Sequence, residues 1–104
     1  MYFSFQGYDR WLTFIITQDP LSNTLKDFWR MIIEQSVNTL VMLSELGEGQ
    51  SKCQCYWPFR GFSHTYDYIT IRCEDEASNE AFIVRKLTVA NNLVSRSFIF
   101  LKLF

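Results

Sequence analysis

The sequence predicts an α/β fold that combines a mixed β-sheet with one main helix. Apolar residues recur at i, i+3, i+4 and i+7 from Leu25 to Ile32, which is the spacing of a buried helical face. Residues 11–17 form a short apolar stretch rich in β-branched side chains, and residues 39–43 form a continuous apolar run. After residue 66, apolar and polar side chains alternate with a period of two, as they do in half-buried strands.

The main helix should extend from about residue 23 to residue 35. Thr24 and Asp27 have the spacing of a capping box, in which the hydroxyl accepts an amide proton and the carboxylate bonds back to the cap. Pro20 suits the turn between the first strand and this helix, because proline is poorly tolerated inside either element.

The apolar run at residues 39–43 predicts a strand buried on both faces, because a central strand needs no polar side. With the strand at residues 11–17 and the helix between them, it suggests a βαβ-like unit. Such a unit would have a right-handed crossover if its two strands are parallel. Residues 47–50 are predicted to form a loop.

A hairpin is predicted in the second half of the chain. Its second strand covers residues 80–89, where Arg85 interrupts an otherwise apolar side. The polar residues 75–79 are interpreted as the connecting loop, with the acidic side chains around it in solvent. Residues 97–104 form a further β-prone stretch. In the first strand of the hairpin, one face carries three apolar side chains, Ile69, Ile71 and Cys73.

Composition bounds the domain count and the partners. A chain of 104 residues fits one small domain. Its formal net charge of -1 gives no reason to expect binding to nucleic acid or to an anionic membrane. The apolar content of 48% argues against disorder and is high for so small a fold. Apolar area should therefore stay exposed unless the chain docks onto another surface.

Cysteine usage favours a reducing compartment. The sequence contains three cysteines, an odd count, and residues 1–5 do not have the features of a targeting peptide. No apolar run reaches the ~20 residues that span a bilayer. A cytosolic setting is expected.

Four motifs between residues 7 and 58 share their order and spacing with one enzyme family. They are FIITQDPL at 14–21, DFWRM at 27–31, LVMLSEL at 40–46 and KCQCYWP at 52–58. In these motifs the chain resembles the N-terminal part of a protein tyrosine phosphatase catalytic domain, closest to the receptor-type enzymes. Residues 66–89 resemble the family's hairpin more loosely, and residues 91–104 diverge from it. The resemblance implies a partial tyrosine-phosphatase fold, with residues 1–104 as a single truncated domain.

The same resemblance implies a reaction for which these residues are not equipped. The family attacks phosphotyrosine with a cysteine thiolate in a His-Cys-x5-Arg loop, and an aspartic acid protonates the leaving phenol. The position six residues after each cysteine holds Phe59, Gly61 or Asn79, never arginine. The single histidine, His64, is followed by Thr65. No catalytic residue is assigned, and the chain alone is expected to be inactive.

Four family-matched positions remain as supporting residues. Gln18 shapes a turn, and Lys52 matches the lysine that steadies the acid-bearing loop. Tyr56 and Trp57 match positions that pack behind the phosphate loop. Asp19 stands where the family more commonly has glycine, and a changed backbone is expected there because glycine alone tolerates positive φ freely. The resemblance implies no cofactor and no metal.

The functional hypothesis is therefore structural scaffolding for phosphotyrosine dephosphorylation. Phosphotyrosine proteins, or another phosphatase domain, would be the partners. The implied location is cytoplasmic, including the cytoplasmic part of a receptor-type parent. Residues 1–5 only partly resemble the family's preceding strand, and a truncated or misspliced gene model would explain this and the divergence of residues 91–104. The alternative, from a different class, is a non-catalytic phosphatase-like interaction module.

A zinc-stapled mini-domain is the third interpretation. Cys53, Cys55, His64 and Cys73 supply four potential ligands. Structural zinc sites, however, usually place a Cys-x2-4-Cys pair on a tight turn, and packed free thiols explain these cysteines more simply.

We therefore expect the purified chain to hold no stoichiometric zinc. Elemental analysis after purification in metal-free buffer measures this directly. About one zinc per chain, together with loss of the fold on chelation, would support the mini-domain instead.

Overall fold

The structure is a computed structural model that describes residues 2–6, 13–47, 52–53 and 55–103. Within these ranges the chain forms one helix and nine strands. In chain order they are β1 (Tyr2–Gln6), β2 (Thr13–Thr17), α1 (Leu25–Glu34), β3 (Thr39–Met42), β4 (Glu45–Leu46), β5 (Lys52–Cys53), β6 (Ser63–Tyr66), β7 (Ile69–Ser78), β8 (Phe82–Ala90) and β9 (Ser95–Leu103).

Five of these strands form the main sheet, in the order β3-β9-β8-β7-β6. β3 runs parallel to β9, and every other neighbouring pair is antiparallel. β4 and β5 form a separate parallel pair. A mixed sheet with one helix was the predicted fold class, and the described part of the chain confirms it.

The predicted βαβ-like unit is wrong. β2 pairs with β1 in an antiparallel two-stranded sheet and has no place in the main sheet. The helix therefore connects strands of two different sheets. The physical reason is that an antiparallel neighbour close in sequence requires less loop closure than a parallel crossover. Residues 11, 12 and 48–50 of the predicted strand and loop lie outside the described residues.

The helix α1 falls within the predicted span and buries the predicted face against β7 and β8. Trp29 and Ile32 are almost completely buried. Leu25 is partly buried at the edge of the same cluster. The side chains that α1 buries are Phe28, Trp29, Met31, Ile32 and Ile33.

The predicted capping box is not formed. The Thr24 hydroxyl accepts a hydrogen bond from the Leu21 amide, at 2.8 Å, rather than from the first turn of the helix. The Asp27 carboxylate accepts from Arg30, whose Nη2 lies 2.9 Å from Oδ1. Thr24 thus bonds to a residue three positions before it, and Asp27 bonds to a residue three positions after it. A capping box needs bonds within the segment between Thr24 and Asp27, so the capping-box prediction is wrong.

The C-terminal end of α1 is closed by backbone hydrogen bonds. Ser36 adopts a φ of 52° and its amide donates to the Ile33 carbonyl, at 3.1 Å. The next amide, of Val37, donates to the Ile32 carbonyl at 3.2 Å. This is the Schellman arrangement, with serine at the position that glycine usually occupies. It turns the chain sharply toward β3.

The prediction that residues 39–43 are buried on both faces is also wrong. Met42 is buried, but Val41 is 47% exposed and Leu43 is 76% exposed. β3 lies at the edge of the main sheet, with β9 as its one neighbour there. An apolar run predicts burial, yet it does not reveal whether another layer covers the second face.

The hairpin is longer than predicted. β7 continues to Ser78, so most of the predicted loop at residues 75–79 belongs to a strand. A register shift between Cys73 and Asp75 lets the pairing with β8 continue past the polar residues. The turn itself is held by Asn79, whose side-chain oxygen accepts hydrogen bonds from the amides of residues 81 and 82.

The face of the main sheet that points away from α1 carries an apolar patch, which we call the outer patch. Three of its side chains are at least 39% exposed, and the others are half-buried. The strand registers place all of them together on β3, β9 and β8. The outer patch consists of Val41, Phe82, Val84, Ile99, Leu101 and Leu103.

The outer patch should make the chain associate and bind a hydrophobic dye, with a broad thermal transition. Replacing Val41 and Ile99 together by threonine keeps the β-branched shape and should lower dye fluorescence and the associated fraction. Size-exclusion chromatography and dye titration measure both. Leu93→Thr is the control, since Leu93 is exposed in a turn outside the patch. A monodisperse wild-type monomer with a cooperative melt would contradict this expectation.

Candidate functional site

The Tyr56-Trp57-Pro58 segment lies in the core, between α1 and the main sheet. The Tyr56 ring centroid is 5.4 Å from that of Phe28 on α1 and 5.9 Å from that of Phe100 on β9. The Trp57 ring stands nearly perpendicular to Tyr56, with centroids 5.1 Å apart. Edge-to-face contacts of this kind add to the stability that aromatic burial provides. The segment therefore joins the helix to the sheet.

A tight turn after Pro58 fixes the position of this segment. The Phe62 amide donates to the Phe59 carbonyl at 2.9 Å, and Gly61 adopts a φ of 83°, as the third residue of a type II turn requires. The Gly61 amide donates to the Cys73 carbonyl, also at 2.9 Å. The turn is thus attached to β7 beside its register shift.

Arg85 lies on the helix-facing side of β8, against the aromatic segment. Its Cζ atom is 4.9 Å from the centroid of the Trp57 ring and 5.8 Å from that of Phe100. Its Nε atom is 2.7 Å from Oε1 of Glu76 on β7, and the register pairs the two residues directly. The Arg85 side chain is 10% exposed and the Glu76 side chain 37%. A buried cation is thus held by two ring faces and one carboxylate.

The hydrogen-bonding capacity of Arg85 is not fulfilled by the described residues. Nη1 is buried and has no hydrogen-bond acceptor there, whereas Nε lies 2.7 Å from the Glu76 carboxylate. The indole Nε1 of Trp57 is likewise buried without an acceptor among these residues. We call this place the Arg85 corner: Arg85 and Trp57, two side chains in contact that each keep a buried donor without an acceptor, and the facing Glu76 carboxylate.

A second cation lies on the same face of the sheet. Lys102 on β9 pairs in register with Ile83, and Arg85 pairs with Phe100, so the two cations are diagonal neighbours. Lys102 is also buried, and its Nζ donates to the carbonyl of Leu103 at 3.4 Å. The helix-facing side of the described sheet therefore holds two buried cationic side chains.

Cys73 is close to this charge cluster but is not suited to nucleophilic attack. Burial raises the pKa of its thiol, and the nearby Glu76 carboxylate raises it further, while Arg85 acts in the opposite direction. A nucleophilic cysteine needs a lowered pKa and access to substrate. Cys55 is exposed, and its Sγ lies 3.4 Å from the Trp57 carbonyl oxygen.

The four supporting positions predicted from the sequence lie in different surroundings. Tyr56 and Trp57 are brought together in the core. Gln18 is exposed in the turn after β2. Lys52 lies in β5, where its backbone pairs with Glu45, and its side chain is outside the described residues. Their functional roles remain predictions.

Asp19 adopts a backbone conformation outside the positive-φ region. Among the described residues, the non-glycine residues with positive φ are Ser36 and Asp67, so the backbone at Asp19 does not require glycine. Its carboxylate accepts a hydrogen bond from the Ser44 hydroxyl, which joins the turn after β2 to the bend after β3.

Two residues of the Arg85 corner were not predicted as functional. Arg85 interrupts the apolar alternation of β8, and that interruption was the available signal. Glu76 was assigned to a solvated loop, which is wrong because β7 continues through it and directs it to Arg85. A register shift inside a strand has no clear signature in a single sequence.

The described residues contain no group of three or more histidine, cysteine or acidic side chains arranged to hold a metal ion. They also include no helix long and apolar enough to cross a membrane. His64 is exposed on β6, with its Nδ1 3.3 Å from the Tyr66 hydroxyl.

Comparison with known proteins defines the family. The model of the protein-tyrosine phosphatase family matches residues 4–101. The chain is 49% identical over 86 residues to tyrosine-protein phosphatase 69D of Drosophila melanogaster. This match covers 83% of this chain and 6% of that protein. It is 42% identical over 92 residues to human receptor-type tyrosine-protein phosphatase alpha, covering 88% of this chain and 11% of that protein. With mouse tyrosine-protein phosphatase non-receptor type 7 it shares 38% identity over 93 residues, 88% of this chain and 25% of the relative.

The chain belongs to the protein-tyrosine phosphatase family. The Tyr56-Trp57-Pro58 segment, which joins its helix to its sheet, is the last part of the KCQCYWP motif on which the resemblance partly rested. The chain spans a quarter or less of the length of these three relatives.

Glu76→Gln should destabilise the chain by about 1–2 kcal/mol, because it leaves a buried guanidinium without its carboxylate; the partial exposure of Glu76 keeps the effect below that of a fully buried pair. Urea unfolding measures the change. Glu80→Gln removes the same charge from the exposed turn and should stay within about 0.5 kcal/mol of wild type. Equal effects of the two variants would show that the Arg85–Glu76 contact contributes nothing specific.

Proposed function

We propose that this chain is a structural part of a tyrosine-phosphatase domain. In the complete domain it supports phosphotyrosine dephosphorylation, and by itself it has no turnover. The observation that carries the proposal is the burial of the Tyr56-Trp57-Pro58 segment between α1 and the main sheet. A family motif that holds two layers of the core together is a scaffold element rather than a reacting group.

The thiols of the described residues support the absence of turnover. Phosphoryl transfer to cysteine needs a thiolate with lowered pKa and an arginine to hold the phosphate oxygens. Cys73 is buried with a raised pKa. Cys55 is exposed, but Gly61 stands six residues later, where the family's loop has arginine. The buried guanidinium of Arg85 contacts Trp57 and Glu76 instead of a phosphate loop.

The relatives support the substrate class. All three are named tyrosine-protein phosphatases, so phosphotyrosine proteins are the substrates we propose for the complete domain. Gln18, Lys52, Tyr56 and Trp57 are proposed as supporting residues and not as catalytic ones. Both receptor-type and non-receptor-type enzymes are among the relatives, and we propose a cytoplasmic location for the domain.

A non-catalytic interaction module is the second candidate function. The outer patch favours it, because an exposed apolar face on a sheet is a surface that another protein can cover. The two candidates differ in what they require of the isolated chain: an interaction module folds alone, whereas a scaffold part depends on the remaining domain.

Hydrolysis of an aryl phosphate tests the absence of turnover. The purified chain should release phenol no faster than buffer, because none of its three cysteines is followed by arginine six residues later. The controls are Cys53→Ser, Cys55→Ser and Cys73→Ser, measured beside wild type. Turnover by the wild-type chain that disappears in one of these variants would contradict the proposal and would identify the nucleophile.

A further inference from the structure

The Arg85 corner combines burial, positive charge and unused hydrogen-bond donors. Arg85 presents Nη1 in the interior without an acceptor among the described residues, and Trp57 presents Nε1 in the same state. The Arg85 Cζ atom lies 4.9 Å from the Trp57 ring centroid, so these donors belong to side chains in direct contact. All of them need an acceptor, and none can serve as one.

Such an arrangement is costly without a further partner. A buried donor that has lost water and gained no acceptor pays its full desolvation penalty. A buried charge costs more, and the carboxylate at Nε leaves Nη1 without an acceptor among the described residues.

Glu76 is the exposed partner of the Arg85 ion pair. Its side chain is 37% exposed, while the Arg85 side chain is 10% exposed. Solvent therefore reaches the carboxylate more readily than the guanidinium. This carboxylate, 2.7 Å from Nε, is itself an oxyanion bound at the corner.

We propose that the Arg85 corner is a binding site for a small oxyanion, such as phosphate, sulfate or a carboxylate, and that Glu76 competes with this ligand for the guanidinium. The planar fork of arginine matches two oxygens of an oxyanion at once, which a point charge does not. The indole N–H of Trp57 offers a further donor. The rings of Trp57 and Phe100 exclude water from one side of the Arg85 guanidinium. Neutral ligands would gain little here, because the site offers donors and positive charge.

This site is independent of the proposed function, because it uses no catalytic group and predicts binding without turnover. Equilibrium dialysis with radiolabelled phosphate at constant ionic strength tests it. The wild-type chain should show one class of saturable site, with sulfate competing and chloride not. Phosphate binding without any phosphatase activity would separate this proposal from the outcome of the aryl phosphate experiment.

Matched variants locate the site. Glu76→Gln removes the competing carboxylate and should tighten phosphate binding about tenfold, whereas Glu80→Gln removes the same charge elsewhere and should leave it unchanged. Arg85→Lys keeps the charge but loses the fork and should weaken binding about tenfold, with Arg30→Lys on the exposed face of α1 as its control. Equal behaviour of each variant and its control would overturn the proposal.

An NMR measurement on the wild-type chain tests the site even if the variants do not fold. In nitrogen-15 NMR, phosphate should shift the indole N–H signal of Trp57 and the Nε–H signal of Arg85, and should leave that of Trp29 unchanged. Trp57→Phe assigns the indole signal. Saturable binding that moves neither signal would mean that the ion binds elsewhere, and it would overturn the assignment to this corner.

Discussion

The insertion of Tyr56 and Trp57 between α1 and the main sheet is the contact on which the rest of the described structure depends. Each aromatic ring buries a large apolar area, and here the two rings touch the helix, β9 and each other. The helix alone could cover only a stripe of β7 and β8. Because this segment fills the remaining space, the sheet gains a continuous apolar layer on one face, and Arg85 gains two ring faces to lie against.

The sequence was sufficient for the elements that follow a simple period. The helical spacing from Leu25 to Ile32 and the alternation at Ile69, Ile71 and Cys73 each depend on neighbours along the chain, and both describe buried faces correctly. The cluster of Tyr56 and Trp57 could be predicted only through the family resemblance, since its partners on α1 and β9 are distant in sequence.

The errors concern features that depend on tertiary context. The capping residues Thr24 and Asp27 had the right spacing, but Leu21 and Arg30 formed hydrogen bonds with their side chains instead. Residues 39–43 had the composition of a central strand, yet strand order placed them at an edge. Glu76 was predicted to lie in a solvated loop because the sequence does not reveal a register shift in β7. That register shift brings Glu76 opposite Arg85. The candidate site was therefore predictable only in part. A family motif predicted its aromatic residues, Tyr56 and Trp57, whereas the pairing of Arg85 with Glu76 is evident only from the folded strands.

The parallel pairing of β3 with β9 has a consequence for how the sheet is assembled. β6, β7, β8 and β9 follow one another as antiparallel neighbours, so each of their pairings closes only a short turn. β3 precedes all of them in the chain but pairs with the last, and the intervening segment must be ordered first or closed as one long loop. Loop-closure entropy rises with the length of the segment closed. The edge that carries Val41 is therefore the entropically most demanding join of the main sheet, and the four-stranded meander is its most local unit.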